Sequence, residues 1–388
     1  MLLDAGNLPD LARGCAVLGT GGGGDPEIGL LMSLQAVEEH GPVPLVDLDE
    51  LPDDGLVMPC GGLGAPTVSI EKFGNGAEGA RLREYVERLW AKPVVALMSS
   101  EIGGSNGLVP VAWAARLGLP VVDADGMGRA FPEMQQVAME LAGISPNPAV
   151  MTDERGNMLV IETVGGRWIE RIMRAVAVEF GARASSTEYQ LTVAQARTAS
   201  VRGSVSLALR IGEVIRTATD DPVAQLVAEL CGYRLLDGKI VDVERRTTGG
   251  FARGTATIDG LGRDAGRTLA LQIQNENLVA REGERVVASV PDLITVIDSQ
   301  TAETVTTERL RYGQRVSVIA FPCDPIWRGA RGLELAGPRA FGRCPRPRRL
   351  DYPDRRPRTR LPLLPSLAPP GRAVTRSVES ASAAVTDC

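Results

Sequence analysis

From residue 1 to about 230 the chain alternates short apolar runs with segments of helical period, and from about 231 it changes to short strands separated by tight turns. The first texture predicts βα units around a mainly parallel sheet, and the second predicts a small β-barrel or sandwich. "PVVALM" (93–98) reads as a strand, "GLVPVAWAARLG" as a helix and "LPVVDADG" (119–126) as the next strand, which makes one βαβ unit. "NMLVIE" and "YQLTVA" read as further strands, "RWIERIMRAVAVEFG" and "VSLALRIGEVIRTA" as helices. Beyond residue 231, "RLLDGKIVDVERR" carries an Asp237-Gly238 hairpin signal, and "GTATIDG", "TLALQIQ", "ERVVASVPDLITVID", "ETVTTERL" and "RVSVIAF" follow as strands. The expected fold is therefore a mainly parallel α/β sandwich domain over residues 1–230 plus a smaller C-terminal β-barrel domain over 231–328. Residues 329–342 are expected to return to the first domain.

Residues 19–27, "GTGGGGDPE", interrupt this pattern with five glycines in six positions. Gly19, Gly21 and Gly24 spell GxGxxG after the short apolar "CAVL", and Asp25 and Pro26 are suited to cap and start a helix that ends at His40 before Gly41. A dinucleotide fold would follow with a strand and a ribose carboxylate, which "VPLVDLDEL" with Asp47 and Asp49 supplies. Against that reading, the apolar run is short and broken by Gly14, and Gly22 and Gly23 exceed what the motif needs. The physical minimum is that backbone N–H groups of Gly21, Gly22, Gly23 and Gly24 can approach a ligand at a helix N-terminus, where an anion is favoured. A glycine-rich turn without a ligand is the plainer alternative.

Three further stretches place polar groups after strands. "GGLGAPTVSIEK" (61–72) follows "LVMPC" and ends in Glu71 and Lys72; "SSEIGGSNG" (99–107) brings Glu101, Ser105 and Asn106; "DADGMGRAFPE" (123–133) brings Asp123, Asp125, Arg129 and Glu133. Each alone is explained by turns and caps, since Asp125-Gly126 makes a turn and Arg129 can pair with Glu133 at helical spacing. Three such loops at the carboxyl ends of strands in one open sheet point to a shared crevice.

Composition narrows the chemistry. A single histidine, His40, sits where a helix end suits it, so proton transfer falls to carboxylates, Cys, Lys or Tyr. Six cysteines (15, 60, 231, 323, 344 and 388) form no CxxC pair, which argues against a disulfide framework or a thiolate zinc site. A net charge of −6 without a basic stripe in the body of the chain argues against a nucleic-acid partner. No apolar run approaches the roughly 20 residues of a membrane helix, and the N-terminus lacks a signal-peptide pattern, so no membrane partner and a cytoplasmic location are expected. From Arg343 onward ten arginines, eight prolines and four acidic residues with no lysine replace the earlier pattern. That stretch is expected to be a disordered tail, and its composition matches GC-rich coding DNA read out of frame.

The stretches "LGTGGGGDP", "GGLGAPTVSIEK", "EIGGSNGL", "PVVDADGMGRAFPE", "QNENL" and "LELAGPRAFG" resemble the S-methyl thiohydantoin desulfurase family, over about residues 5–342. The resemblance implies an α/β domain with a β-barrel insert or follower. It also implies an enzyme of the hydrolase type, acting on a small heterocyclic substrate: sulfur is replaced by oxygen at the ring carbon between two nitrogens, leaving a hydantoin and a thiol, with a functional link to hydantoinases. Such chemistry needs an activated water, a proton donor and donors for the tetrahedral intermediate. Asp123, Asp125, Glu101 and Glu133 are candidates to activate water or to hold a divalent metal through oxygens. Arg129, Asn106, Glu71 and the glycine N–H groups are candidates for substrate binding, and from the barrel side "QNENL" offers Asn275, Glu276 and Asn277. Cys60 ends a strand at the same face and is either a thiolate nucleophile or a core residue. A homo-oligomer is expected. A nucleotide- or phosphometabolite-binding module and a non-catalytic hydantoinase subunit remain as alternatives.

Overall fold

A computed structural model describes residues 1–64, 68, 71–342, 350 and 352. Ala65–Thr67, Ser69 and Ile70 of the "GGLGAPTVSIEK" stretch, and the tail from Arg343 apart from Leu350 and Tyr352, lie outside the described residues. Four strands form the centre of the first sheet and run parallel in the order Val43–Val46, Val121–Asp125, Val94–Ser99, Leu56–Gly64. The βαβ unit is present, with helix Val109–Leu117 between the two strands read from the sequence. The sheet is nevertheless mixed, not mainly parallel. Leu2–Leu3 joins one side antiparallel, and Arg183–Thr187, Ala149–Thr152 and Met158–Ile161 extend the other side antiparallel. The hairpin of the last two strands turns at residues 153–157, where the Asp153 carboxylate accepts from Arg155 N and Asn157 N. Its four-residue strand "AVMT" is too short to stand out as a period in the sequence.

The second sheet is antiparallel throughout, with seven strands in the order Arg285–Ser289, Glu276–Glu282, Thr268–Gln274, Phe251–Gly260, Tyr233–Thr248, Arg315–Phe321, Leu293–Asp298. It curls, but its two edge strands do not pair among the described residues, so the expected barrel is an open half-barrel. The link between those edges is engaged elsewhere: the carbonyls of Pro291 and Asp292 both accept from Arg129 Nη1, 2.9 Å away in the α/β half. The Asp237-Gly238 signal is not a hairpin turn. Both residues lie inside the sixteen-residue strand Tyr233–Thr248, and the turn is at Gly249-Gly250, both with positive φ. Gly238 instead allows close strand approach, since a Cβ there would lie 2.4 Å from Asp259 O.

Two more local readings are corrected. "CAVL" is the last turn of helix Leu8–Leu18, so the glycine run follows a helix and not a strand, and the strand–turn–helix context of a dinucleotide fingerprint is missing. "ETVTTERL" is a loop with a short 3-10 turn, Thr307–Arg309, because its polar side chains are spent on the crossing described below. Helix Pro26–His40 matches the reading residue for residue. Asp25 accepts from Glu27 N, Pro26 opens the helix, and Gly41 closes it at φ +92°. His40 is exposed at that end, 3.7 Å from Glu39. Leu350 packs against the core of the half-barrel, and Tyr352 lies 5.5 Å from Tyr233, centroid to centroid. Among the described residues no helix is long and apolar enough to cross a membrane.

Candidate active site

The glycine run is a crossing point of three segments. Thr20, Gly21, Gly23 and Gly24 take positive φ, from +51° to +96°, and at Gly22 and Gly23 the decisive property is the missing Cβ. A Cβ on Gly22 would fall 2.1 Å from Glu276 Oε1, and one on Gly23 would fall 2.2 Å from Gly103 O. Gly21 O accepts from Thr307 N and Oγ1 at 2.9 Å each, while Gly23 O and Gly24 O accept from Asn106 N and Ser105 N. Beyond the run, Arg309 binds both Asp25 and Glu27. The start of helix Pro26–His40 thus carries two carboxylates of the chain's own, where an anionic ligand part had been expected.

This crossing forms one side of a cleft with a cavity volume of about 100 Å³. Gly61–Gly64 line it where their strand changes from parallel pairing with Val94–Ser99 to antiparallel pairing with Arg183–Thr187. Ser100, Glu101 and Asn106 come from the loop after Val94–Ser99, Glu188 from the end of Arg183–Thr187, and Asn275 and Glu276 from the half-barrel. Asn106 braces the site: Oδ1 accepts from Gly62 N at 2.8 Å and Nδ2 donates to Glu101 Oε1. Phe131 N donates to Glu101 Oε2 at 3.3 Å. Three buried atoms of cleft-lining residues, Ser100 Oγ, Glu188 Oε2 and Glu276 Oε2, have no hydrogen-bond partner among the described residues. Buried polar atoms are nearly always paired, so three orphans around one cleft mark where a ligand or water bonds.

Models of the S-Me-THD-like N-terminal domain and the S-Me-THD-like C-terminal domain match residues 6–163 and 165–346. The chain belongs to the S-Me-THD-like family. That is the family its motifs resemble, and the match accounts for nearly all of the described residues. An X-ray crystal structure of a protein from Chromobacterium violaceum has the same fold, with a TM-score of 0.74 at 22% identity, covering 88% of this chain and 96% of that one. No curated protein matches the sequence.

Electrostatics separates the carboxylates of this S-Me-THD-like cleft. Burial pushes the Glu101 carboxyl up to about 8, against the hydrogen bonds from Asn106 and Phe131 that favour its charged form. Burial likewise raises Glu188 to about 7, opposed by Ser186. Glu276 is also raised well above the usual carboxylate range, first by burial and then by the charge of Glu101, with Arg129 pulling the other way. A buried carboxyl whose folded pKa exceeds its unfolded value near 4.5 favours the fold only while protonated. Its contribution is full below about 4.5 and is lost as pH rises through the folded value. The melting temperature should therefore fall between about pH 5 and pH 8, and Glu188→Gln should flatten the part of that fall between about pH 4.5 and pH 7. A melting curve series whose slope is identical in the variant would remove Glu188 as a source.

The structure brings together Glu101, Asn106, Glu133, Gly23, Gly24 and Asn275 around the cleft. It places the other expected residues elsewhere. Asp123 accepts from Ser206 N and Oγ, holding the start of helix Ser204–Thr217. Asp125 Oδ2 accepts from the N–H groups of Ile102, Met127 and Gly128 and so shapes the loops behind the cleft. Arg129 spends its guanidinium on Ala130 O, Pro291 O, Asp292 O and Thr20 Oγ1. Cys60 is fully buried and donates to Met58 O; burial first, and the Glu188 charge next, keep it a thiol. Gly21 and Gly22 face the half-barrel, Asn277 donates to Ile294 O, and Glu71 is exposed and does not line the cleft. Among the described residues no group of three or more His, Cys, Asp or Glu side chains is arranged to hold a metal ion. Glu188 was not anticipated. It is a lone carboxylate between two short strands, with no spacing signal around it.

Proposed function

We propose that the chain is a hydrolytic desulfurase that converts an S-methyl thiohydantoin-type ring to a hydantoin and releases methanethiol. The observation that carries this reading is the set of orphaned atoms, Ser100 Oγ, Glu188 Oε2 and Glu276 Oε2, gathered with Glu101 in one small cleft, in a chain of the S-Me-THD-like family. A volume of about 100 Å³ suits a single small ring. It is far below the roughly 300–1,000 Å³ of ordinary cofactor pockets, which together with the helix before the glycines disfavours a nucleotide.

The reaction adds water to the ring carbon that bears sulfur. Glu188, raised to about 7, takes a proton from the water as the C–O bond forms, while Glu101, raised to about 8 and protonated near neutrality, gives a proton to the ring nitrogen. Ser100 holds the attacking water, and Asn106 fixes the Glu101 carboxyl. The base must be ionised and the acid protonated, so kcat/KM should follow a bell with limbs near pH 7 and pH 8. The test is thiol release from a panel of S-methyl thiohydantoins at several pH values. A protein that binds the rings, seen as a raised melting temperature, but releases no thiol would be a binding module instead.

A further inference from the structure

The half-barrel's part in the site is concentrated at one residue, Glu276. Strands Thr268–Gln274 and Glu276–Glu282 reverse through Asn275 alone, at φ +55°. That tip is pinned on several sides. Asn275 N donates to Ala252 O, its Oδ1 accepts from Ala252 N, and its carbonyl accepts from Thr307 Oγ1 at 2.7 Å. Asn277 N donates to Thr20 O at 2.9 Å, tying the same tip to the glycine run. Gly22 then leaves open the volume that the Glu276 carboxyl fills. A chain that fixes a tip this way and empties a neighbouring position has placed a carboxyl with care. Yet Oε2 of that carboxyl, buried and belonging to a cleft-lining residue, has no partner among the described residues.

We infer that Glu276 is the proton donor to the departing sulfur, a role that rests on the desulfurase reading above. Glu101 is spent at that moment, having protonated the ring nitrogen; Glu188, which has taken the water proton, is the competing donor, and full activity in Glu276→Gln would assign the step to it. When the tetrahedral intermediate collapses, the C–S bond breaks with its electron pair on sulfur, and sulfur takes the Glu276 proton to leave as a neutral thiol. The hydroxyl on the ring carbon loses its proton as the carbonyl forms, and that proton with the one on Glu188 restores the two acids. Burial and the neighbouring Glu101 charge hold Glu276 in the protonated form this step requires.

A leaving group that needs no proton separates this role from a structural one. The S-(2,2,2-trifluoroethyl) analogue releases a much more acidic thiol than the S-methyl substrate, and because each variant is compared with wild type on the same ring, the added bulk of the trifluoromethyl group cancels. Glu276→Gln should lower kcat/KM for the S-methyl ring by ~100-fold or more, the scale of a lost general acid, and for the trifluoroethyl ring by only about threefold. Equal losses for both rings, or no loss for either, would overturn the role. If Glu276→Gln melts early, Glu276→Asp is measured instead; the same preference for the acidic leaving group is expected, and its absence counts against the proposal. A wild-type protein that releases thiol from neither ring would sink the desulfurase reading itself, a result distinct from all of these.

Discussion

Glu188→Gln protein is expected to release thiol at least ~100-fold more slowly than wild type, the usual scale of a lost general base, and to melt no earlier at pH 8. The two halves of that expectation come from the same burial. Glu188 is 4% exposed and its Oε2 has no partner among the described residues, so at pH 8 the protein holds an ionised carboxylate in a place that disfavours charge. A rise from 4.5 to about 7 corresponds to a cost on the order of 3 kcal/mol for that ionised form. An amide of the same shape removes the cost and keeps a polar group toward Ser186, while removing the only function a base has. The alkaline limb of the pH profile should survive in whatever activity remains, because it belongs to Glu101, and the limb near pH 7 should vanish. If the variant kept full activity, or lost activity and melting temperature together, Glu188 would be a structural residue and the water would have to be activated by another group.

Much of the fold was legible where one local signal was enough. Asp25, Pro26 and Gly41 mark the ends of a helix because caps act within four residues of sequence, and the βαβ unit at 93–126 carries its own periods. The sheet's antiparallel extension and the open edge of the half-barrel were not legible, since both depend on pairings between segments distant in sequence and on Arg129 holding two carbonyls some 160 residues away. The site divides the same way. Glu101 and Asn106 were readable as polar groups at a strand end. Asp123 and Asp125 look alike in sequence, but Asp123 is engaged by Ser206, 83 residues away, while Asp125 Oδ2 accepts from the local N–H groups of Met127 and Gly128 and from the distant Ile102. The glycine run was read as a place for a ligand's backbone contacts; Gly23 and Gly24 do line the cleft, while the space beside Gly22 is filled by the chain's own Glu276 carboxyl.

Gly14→Ala and Gly212→Ala should each destabilise the protein by roughly 3 kcal/mol or more, at the upper end of what overpacking costs. In an exposed helix the same change would stabilise by about 1 kcal/mol, because alanine is the better helix former. The sign reverses here because helices Leu8–Leu18 and Ser204–Thr217 touch backbone to backbone. A Cβ on Gly14 would lie 1.8 Å from Ala208 O, and one on Gly212 would lie 1.8 Å from Asp10 O. Neither contact is with a flexible side chain, so relief requires the helices to part along their length. The effect should reach the cleft. Helix Leu8–Leu18 runs directly into Thr20 and the glycine crossing, and Thr20 O holds the tip that carries Glu276. Shifting that helix outward should therefore lower kcat in whatever folds, with melting temperature down by roughly 6–10 °C if about 2–3 °C accompanies each kcal/mol. Variants that melt within a degree of wild type would show that the two helices do not meet as closely as this packing requires.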